Sequence, residues 1–166
     1  MCAGAVTANT FDVRTVQVRQ LPDRSFDLSP LAATPPHAWL AFAAVGNDLL
    51  NLTRLGLMSS LRGRGYKLAA IVSPRAAVPG AWRAPENVFV DDHAAIGAGV
   101  AMRHNVFLGA GAVVGAGARI GHSVWIGPRA VVGVGVTIGD GTIIAPGVVL
   151  ADGVNAEEAL SLIIGV

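Results

Sequence analysis

His104 and His122 stand eighteen residues apart, and the same interval leads down to Glu86 and up to Asp140. If residues eighteen apart are vertical neighbours, the four side chains form one ladder, two imidazoles between two carboxylates. Imidazole changes charge near neutral pH, so a histidine in such a ladder can take a proton from an attacking amine or hydroxyl. A carboxylate beside it would raise its pKa and orient its ring. The candidate catalytic residues are therefore His122 and His104, with Asp140 and Glu86 as their partners. The same column also reads as a solvated polar corner. A zinc site from two histidines and Asp140 would need strong convergence of side chains, and no metal is expected. His93, in the run Asp91-Asp92-His93, reads as a turn residue, and His37 has no partners. Cys2 is the lone cysteine, so no intramolecular disulfide can form. No Ser, Cys and His constellation indicates a covalent intermediate, which leaves direct transfer.

An interval of eighteen matters because the chain repeats every six. From Val90 the series Val90, Ile96, Met102, Leu108, Val114, Ile120, Ile126, Val132, Ile138, Ile144 and Leu150 is large and apolar throughout. Four residues after each comes a second series, Ala94, Val100, Val106, Ala112, Ala118, Val124, Ala130, Val136, Thr142, Val148 and Val154, all small or β-branched. Neither a helical period of 3.6 nor a strand period of 2 explains two such locked registers. Each hexad is a short strand plus a corner, three hexads close one triangular coil, and coils stack about 4.8 Å apart. The large aliphatic points inward, and the second series fills the cramped corner. Three residues after the aliphatic stand Gly99, Gly111, Gly117, Gly135, Gly141, Gly147 and Gly153, where a corner needs positive φ. Asn105 and His93 take the same place elsewhere and tolerate it better than most residues.

The stretches IGAGVA, LGAGAV, IGHSVW, IGPRAV and IGDGTI resemble the hexapeptide-repeat acyltransferases. That resemblance implies a mainly β fold, a left-handed parallel β-helix; the ordinary crossover rule would give the opposite hand. It also implies a homotrimer with sites in the grooves between subunits. The segment AVGN, a helix, and GYKLAAIVSPRAAV together look like the sugar acetyltransferases of sialic acid or bacillosamine type. In those enzymes a small Rossmann-like domain for a nucleotide sugar precedes the β-helix, and acetyl-CoA is the co-substrate. The likeness covers roughly 39–154. It implies CoA-facing positions at Trp125, Gly133, Ala145 and Pro146. Gly133 and Ala145 are small enough for close approach, whereas Pro146 has no N–H to donate. The family's VVDH hexad falls on Val131, Val132, Gly133 and Val134, so its histidine is replaced by Val134 and its acid by Gly133. A second family histidine falls at Ile143, and the arginine after the GN motif falls at Asn51. The related γ-type carbonic anhydrases use an HxxxxH pair, which this sequence lacks.

Upstream of the hexads, Arg14 to Leu21 alternates as a strand does, and the proline-bearing run Pro22 to Pro36 reads as loop. His37 to Gly46 reads as a buried strand, and Asn47 to Gly63 as a helix capped by Asn47 or Asp48, with Gly65 near its end. Lys67 to Val72 reads as a second strand, completing a βαβ fragment. Only Gly46 is available for a phosphate-holding turn at the helix N-terminus. At the other end, Asn155 to Leu162 reads as a short capping helix. The expected division is a truncated Rossmann-like α/β subdomain over 1–72, the β-helix over 73–154 and a cap over 155–166.

Composition sets the function classes. Twelve Lys and Arg nearly balance eleven Asp and Glu, and no basic run points to nucleic acid. Hydrophobic residues reach 52% while aromatics are only 5%, which suits a thin core of repeated small units. No apolar stretch is long enough for a membrane span, and no leader pattern opens the chain, so the expected location is cytoplasmic. Two functions stay open. One is an acetyl-CoA-dependent transferase acting on a sugar or nucleotide sugar with a relocated histidine base. The other is a non-catalytic trimeric scaffold that has kept the β-helix and lost the base.

Overall fold

The computed structural model describes residues 13–45 and 52–153, and the backbone of Asn155–Ala156 and Leu162–Ile163. The first part is small. Strand β1 (Arg19–Gln20) pairs antiparallel with β2 (Phe26–Asp27), and a 3-10 helix follows over Ser29–Ala33. The expected loop from Pro22 to Pro36 thus holds a strand and a helical turn. Pro30 opens that turn, where a missing N–H costs nothing. Strand β3 (Leu40–Ala41) lies parallel to β4 (Lys67–Leu68), with helix α1 (Leu52–Gly63) between them. The buried positions of α1 are Arg54, Leu57, Met58 and Leu61, one stripe at helical spacing. Gly65, at φ 87°, ends it, and Tyr66 N–H returns to the Leu61 carbonyl at 3.1 Å. The helix start expected at Asn47 or Asp48, Gly46 and Asn51 lie outside the described residues.

Lys67 to Val72 does not form one strand. It divides into β4, in the subdomain sheet, and β5 (Ile71–Val72), which pairs with β6 (Phe89–Val90). The chain therefore passes from subdomain to β-helix within four residues, and Ala69 bonds to both, its N–H donating to the Ala41 carbonyl at 2.8 Å and its carbonyl accepting the Asn87 N–H at 3.1 Å.

Each hexad then becomes a two-residue strand and a corner. The strands are β7 (Ala95–Ile96), β8 (Ala101–Met102), β9 (Phe107–Leu108), β10 (Val113–Val114), β11 (Arg119–Ile120), β12 (Trp125–Ile126), β13 (Val131–Val132), β14 (Thr137–Ile138), β15 (Ile143–Ile144) and β16 (Val149–Leu150). Every register offset in these stacks is eighteen residues, as in Val114↔Val132 and Ile120↔Ile138. Three parallel walls result: β5-β6-β9-β12-β15, β7-β10-β13-β16 and β8-β11-β14. This is the expected left-handed parallel β-helix. The core aliphatics from Val90 to Leu150 are buried, except for the half-buried Met102. Each contributes about 2 kcal/mol of hydrophobic burial. The small series from Ala94 to Thr142 is buried as well.

The stack continues as strand at Asn155–Ala156 and Leu162–Ile163. Asn155–Ala156 (β17) pairs with Thr137–Ile138, and Leu162–Ile163 (β18) with Ile143–Ile144. The capping helix expected from Asn155 to Leu162 is replaced, at these residues, by two further rungs. Open N–H and C=O groups on the last rung favour continued pairing over a lone helical turn.

Candidate functional site

Three corners join the walls, and they differ in what they present. Corner I joins the β6 and β7 walls, corner II the β7 and β8 walls, and corner III the β8 and β9 walls. All seven expected glycines take positive φ, joined by His93 and Arg129 in corner I and by Asn87, Asn105 and Ser123 in corner III. Corner III carries the predicted ladder. The rings of His104 and His122 lie one above the other, centroids 3.9 Å apart. Glu86 is below, ion-paired to Arg62 of α1 at 2.5 Å. Asp140 is above, but its Oδ1 accepts the backbone N–H of His122 at 2.7 Å and does not meet the ring. In corner II, Asp152 Oδ1 accepts the N–H of Val134 in the same manner at 2.8 Å. Asp140 is thus a corner brace, not an orienter of imidazole.

The electrostatics follow from that geometry. Burial first, then the neighbouring His122 and Arg62, hold the His104 imidazole below the usual histidine range, against the pull of Glu86 and Asp140. The expected net rise beside a carboxylate does not occur, because burial and the neighbouring cations outweigh Glu86 and Asp140. His104 is therefore neutral at pH 7 and able to accept a proton. The Nδ1 of His122 is buried with no hydrogen-bond partner among the described residues.

Beneath the histidines runs a second ladder that the sequence reading missed. The N–H of Ala43 donates to Asn87 Oδ1 at 2.7 Å, Asn87 Nδ2 to Asn105 Oδ1 at 2.8 Å, and Asn105 Nδ2 to Ser123 Oγ at 2.9 Å. Arg54 is 2% exposed and donates through Nη2 to the Asn105 carbonyl at 2.7 Å, above the Phe107 ring. With no carboxylate beside it among the described residues, burial brings its pKa down to about 10, so it remains a cation. Each of these was findable. Asn87, Asn105 and Ser123 recur at the coil interval, and Arg54 interrupts the apolar stripe of α1.

The four predicted CoA-facing residues do not meet within one chain. Trp125 is half-buried on the β12 wall, in an aromatic column with Phe107 at 6.0 Å, itself 4.9 Å from Phe89. Gly133 is buried in corner II, while Ala145 and Pro146 lie in corner I, over Gly127. In the DDH run, Asp92 accepts hydrogen bonds from Ser73 and Arg75, and His93 occupies the positive-φ turn position. A cavity in the subdomain, lined by Arg14, Trp39, Leu61 and Tyr66 among others, does not reach corner III.

Residues 117–152 match the bacterial transferase hexapeptide (six repeats) family. No curated protein matches the sequence. Among solved structures, the fold is similar to a histidine-to-asparagine mutant of perosamine N-acetyltransferase from Caulobacter crescentus in complex with CoA and GDP-perosamine. The two are 27% identical with a TM-score of 0.55, over 69% of this chain and 61% of that one. The chain therefore spans about three fifths of that relative's length. WeeI from Acinetobacter baumannii AYE is 18% identical with a TM-score of 0.54, over 65% of this chain and 62% of its own. The acetyltransferase domain of PglB from Neisseria gonorrhoeae FA1090 is 24% identical with a TM-score of 0.52, over 72% and 65%. The suspected likeness to hexapeptide-repeat sugar acetyltransferases is thereby found in structure as well. No helix among the described residues is long and apolar enough to cross a membrane.

Proposed function

We propose that this chain is an acetyl-CoA-dependent transferase acting on an amino group of a sugar or nucleotide-linked sugar, working as a homotrimer with CoA in the grooves between subunits. The observation that carries the reading is the likeness, at 27% identity, to an N-acetyltransferase bound to CoA and GDP-perosamine. In the direct reaction the acceptor nitrogen attacks the thioester carbonyl, a base takes the proton released from nitrogen, and the CoA sulfur leaves. Corner III supplies that base in His104 or His122. A His104 held neutral at pH 7 is suited to accept the proton. Trp125, Gly133, Ala145 and Pro146 border the pantetheine arm across the interface, with Trp125 supplying apolar area. In this reading 1–72 serves the acceptor, 73–154 serves CoA and assembly, and 155–166 closes the end of the stack.

A second reading, the non-catalytic scaffold, is favoured by one observation. At the register of the family histidine stands Val134, 54% exposed in a corner without another side chain able to move a proton except Asp152. A Cβ on Gly133 would lie 2.7 Å from the Asp152 N–H nitrogen, so the family's acidic side chain has no room there. Titration calorimetry with acetyl-CoA, followed by assay of CoA release with a GDP-linked amino sugar, separates the two. One binding site per chain and acceptor-dependent CoA release support the enzyme. Absence of binding at millimolar acetyl-CoA leaves the scaffold.

A further inference from the structure

We propose that Asn87 and Asn105 are positioning residues that tie the main chain of the N-terminal subdomain to the stacked histidines of corner III. The inference deepens the reading of His104 and His122 as the proton-accepting pair and rests on it for its functional meaning. Its structural part does not.

The ladder has a direction. A backbone N–H can only donate, so Ala43 N–H obliges Asn87 to turn its oxygen toward it. Asn87 must then present its NH2 to Asn105, and Asn105 its NH2 to the Ser123 hydroxyl. One subdomain donor thus sets the amide orientation of every rung. Each rung directly follows a residue of the outer column: Asn87 follows Glu86, Asn105 follows His104, and Ser123 follows His122. The three are 1%, 0% and 5% exposed, so water cannot take over their hydrogen bonds. All three hold positive φ, at 55°, 64° and 57°, where Gly141 completes the same corner and glycine serves every rung of corner II. Glycine would satisfy the turn alone. The amide and hydroxyl side chains, each held in a backbone region that costs them energy, add an axial connection that glycine could not make.

Two further subdomain contacts end on the same corner. Arg54 Nη2 grips the Asn105 carbonyl, and Arg62 pairs with Glu86. The groups facing His104 are thus His122, Arg62, Glu86 and Asp140, and two of these are placed by the subdomain or by a residue bound to it. Displacing the subdomain would expose His104 and carry Arg62 away from it, while the backbone bonds between the two coils, such as Ser123 N–H to the His104 carbonyl at 3.1 Å, stay in place.

Asn105→Gly and Asn87→Gly test this, since glycine keeps the turn and deletes only the ladder. The readout is the imidazole titration of His104 followed by NMR in the full chain, with cooperative thermal unfolding as the check on folding. Loss of burial, the largest cause of the depressed pKa, and loss of Arg62 both act upward, so the His104 midpoint should rise toward the ordinary histidine range in both variants. An unchanged midpoint in both overturns the proposal. So does a rise confined to Asn105→Gly, since the ladder would then be a local feature without a link to Ala43. In a chain that turns over acetyl-CoA, turnover should also fall about tenfold in both variants, as expected for a displaced base. A native chain that never turns over acetyl-CoA ends the enzyme reading while leaving the titration result intact.

Discussion

Corners II and III of the β-helix are built on the same hexad yet offer opposite surfaces. Corner II runs Gly97-Ala98-Gly99, Gly115-Ala116-Gly117, Gly133-Val134-Gly135 and Ala151-Asp152-Gly153. Corner III runs Pro85-Glu86-Asn87, Arg103-His104-Asn105, Gly121-His122-Ser123 and Gly139-Asp140-Gly141. In corner II the first glycine of each of the lower three turns is sterically required, as the coil above sits where a Cβ would be: 2.5 Å from Ala116 N over Gly97 and 2.6 Å from the Gly133 carbonyl carbon over Gly115. It is a pure packing solution and leaves nothing to titrate below Asp152. Corner III has exchanged turn glycines for asparagine and serine and so supports side chains in file. In corner III side-chain hydrogen bonds between the rungs offset the backbone strain at Asn87, Asn105 and Ser123. Here that corner is also the one the subdomain covers.

The comparison breaks most readily at the histidines. Under the transferase reading, His122→Ala or His104→Ala should lower CoA release by about 10²-fold, the lower end of general-base contributions. Val134→His in corner II should leave the rate as it is. Full activity in both alanine variants, or a gain from Val134→His, would return the chemistry to corner II. Next in size is steric. Gly115→Ala places a methyl group against backbone of the next coil and should destabilise the chain by about 3 kcal/mol in denaturant unfolding. A change near zero would mean that corner II is not the close-packed corner described.

A smaller effect sharpens the electrostatic contrast. The folded pKa of His104 lies below its ordinary 6.5, so the unfolded chain binds more protons in the window beneath that value. Stability should therefore fall as pH drops from 6.5 through the folded pKa and stay level in that respect above 6.5. His104→Phe should flatten the fall in urea unfolding between these limits, whereas an unaltered slope would show that His104 is not the group responsible. The smallest effect belongs to Arg62→Gln. Its ion pair with Glu86 is nearly half exposed on both sides, so about 0.5 kcal/mol should be lost and salt should mask the difference. A loss several times larger would make Arg62 a main fastener of the subdomain.

The β-helix was legible in the residues because its period is local. A strand and a corner need only six positions, and a core that thin admits one large and one small apolar type. The vertical order of His104 over Glu86 and of His122 over His104 followed from arithmetic alone. The subdomain was harder to read, since Lys67 to Val72 has one unbroken pattern and yet serves two sheets. At the other end, the polar start of Asn155 to Leu162 suited a helix cap as well as another rung.

What no reading of spacing could supply was the direction of the polar groups. Asp140 occupies the coil above His122 as expected, but whether its oxygen met a ring or an N–H depended on the path of the backbone between coils. Whether the pKa of His104 rose beside Glu86 depended on its burial and on Arg62, which reaches the corner from a helix position twenty-four residues before Glu86. Periodicity decides which residues are neighbours. Hydrogen bonding and burial, which depend on all the elements packed at one place, decide what those neighbours do to one another.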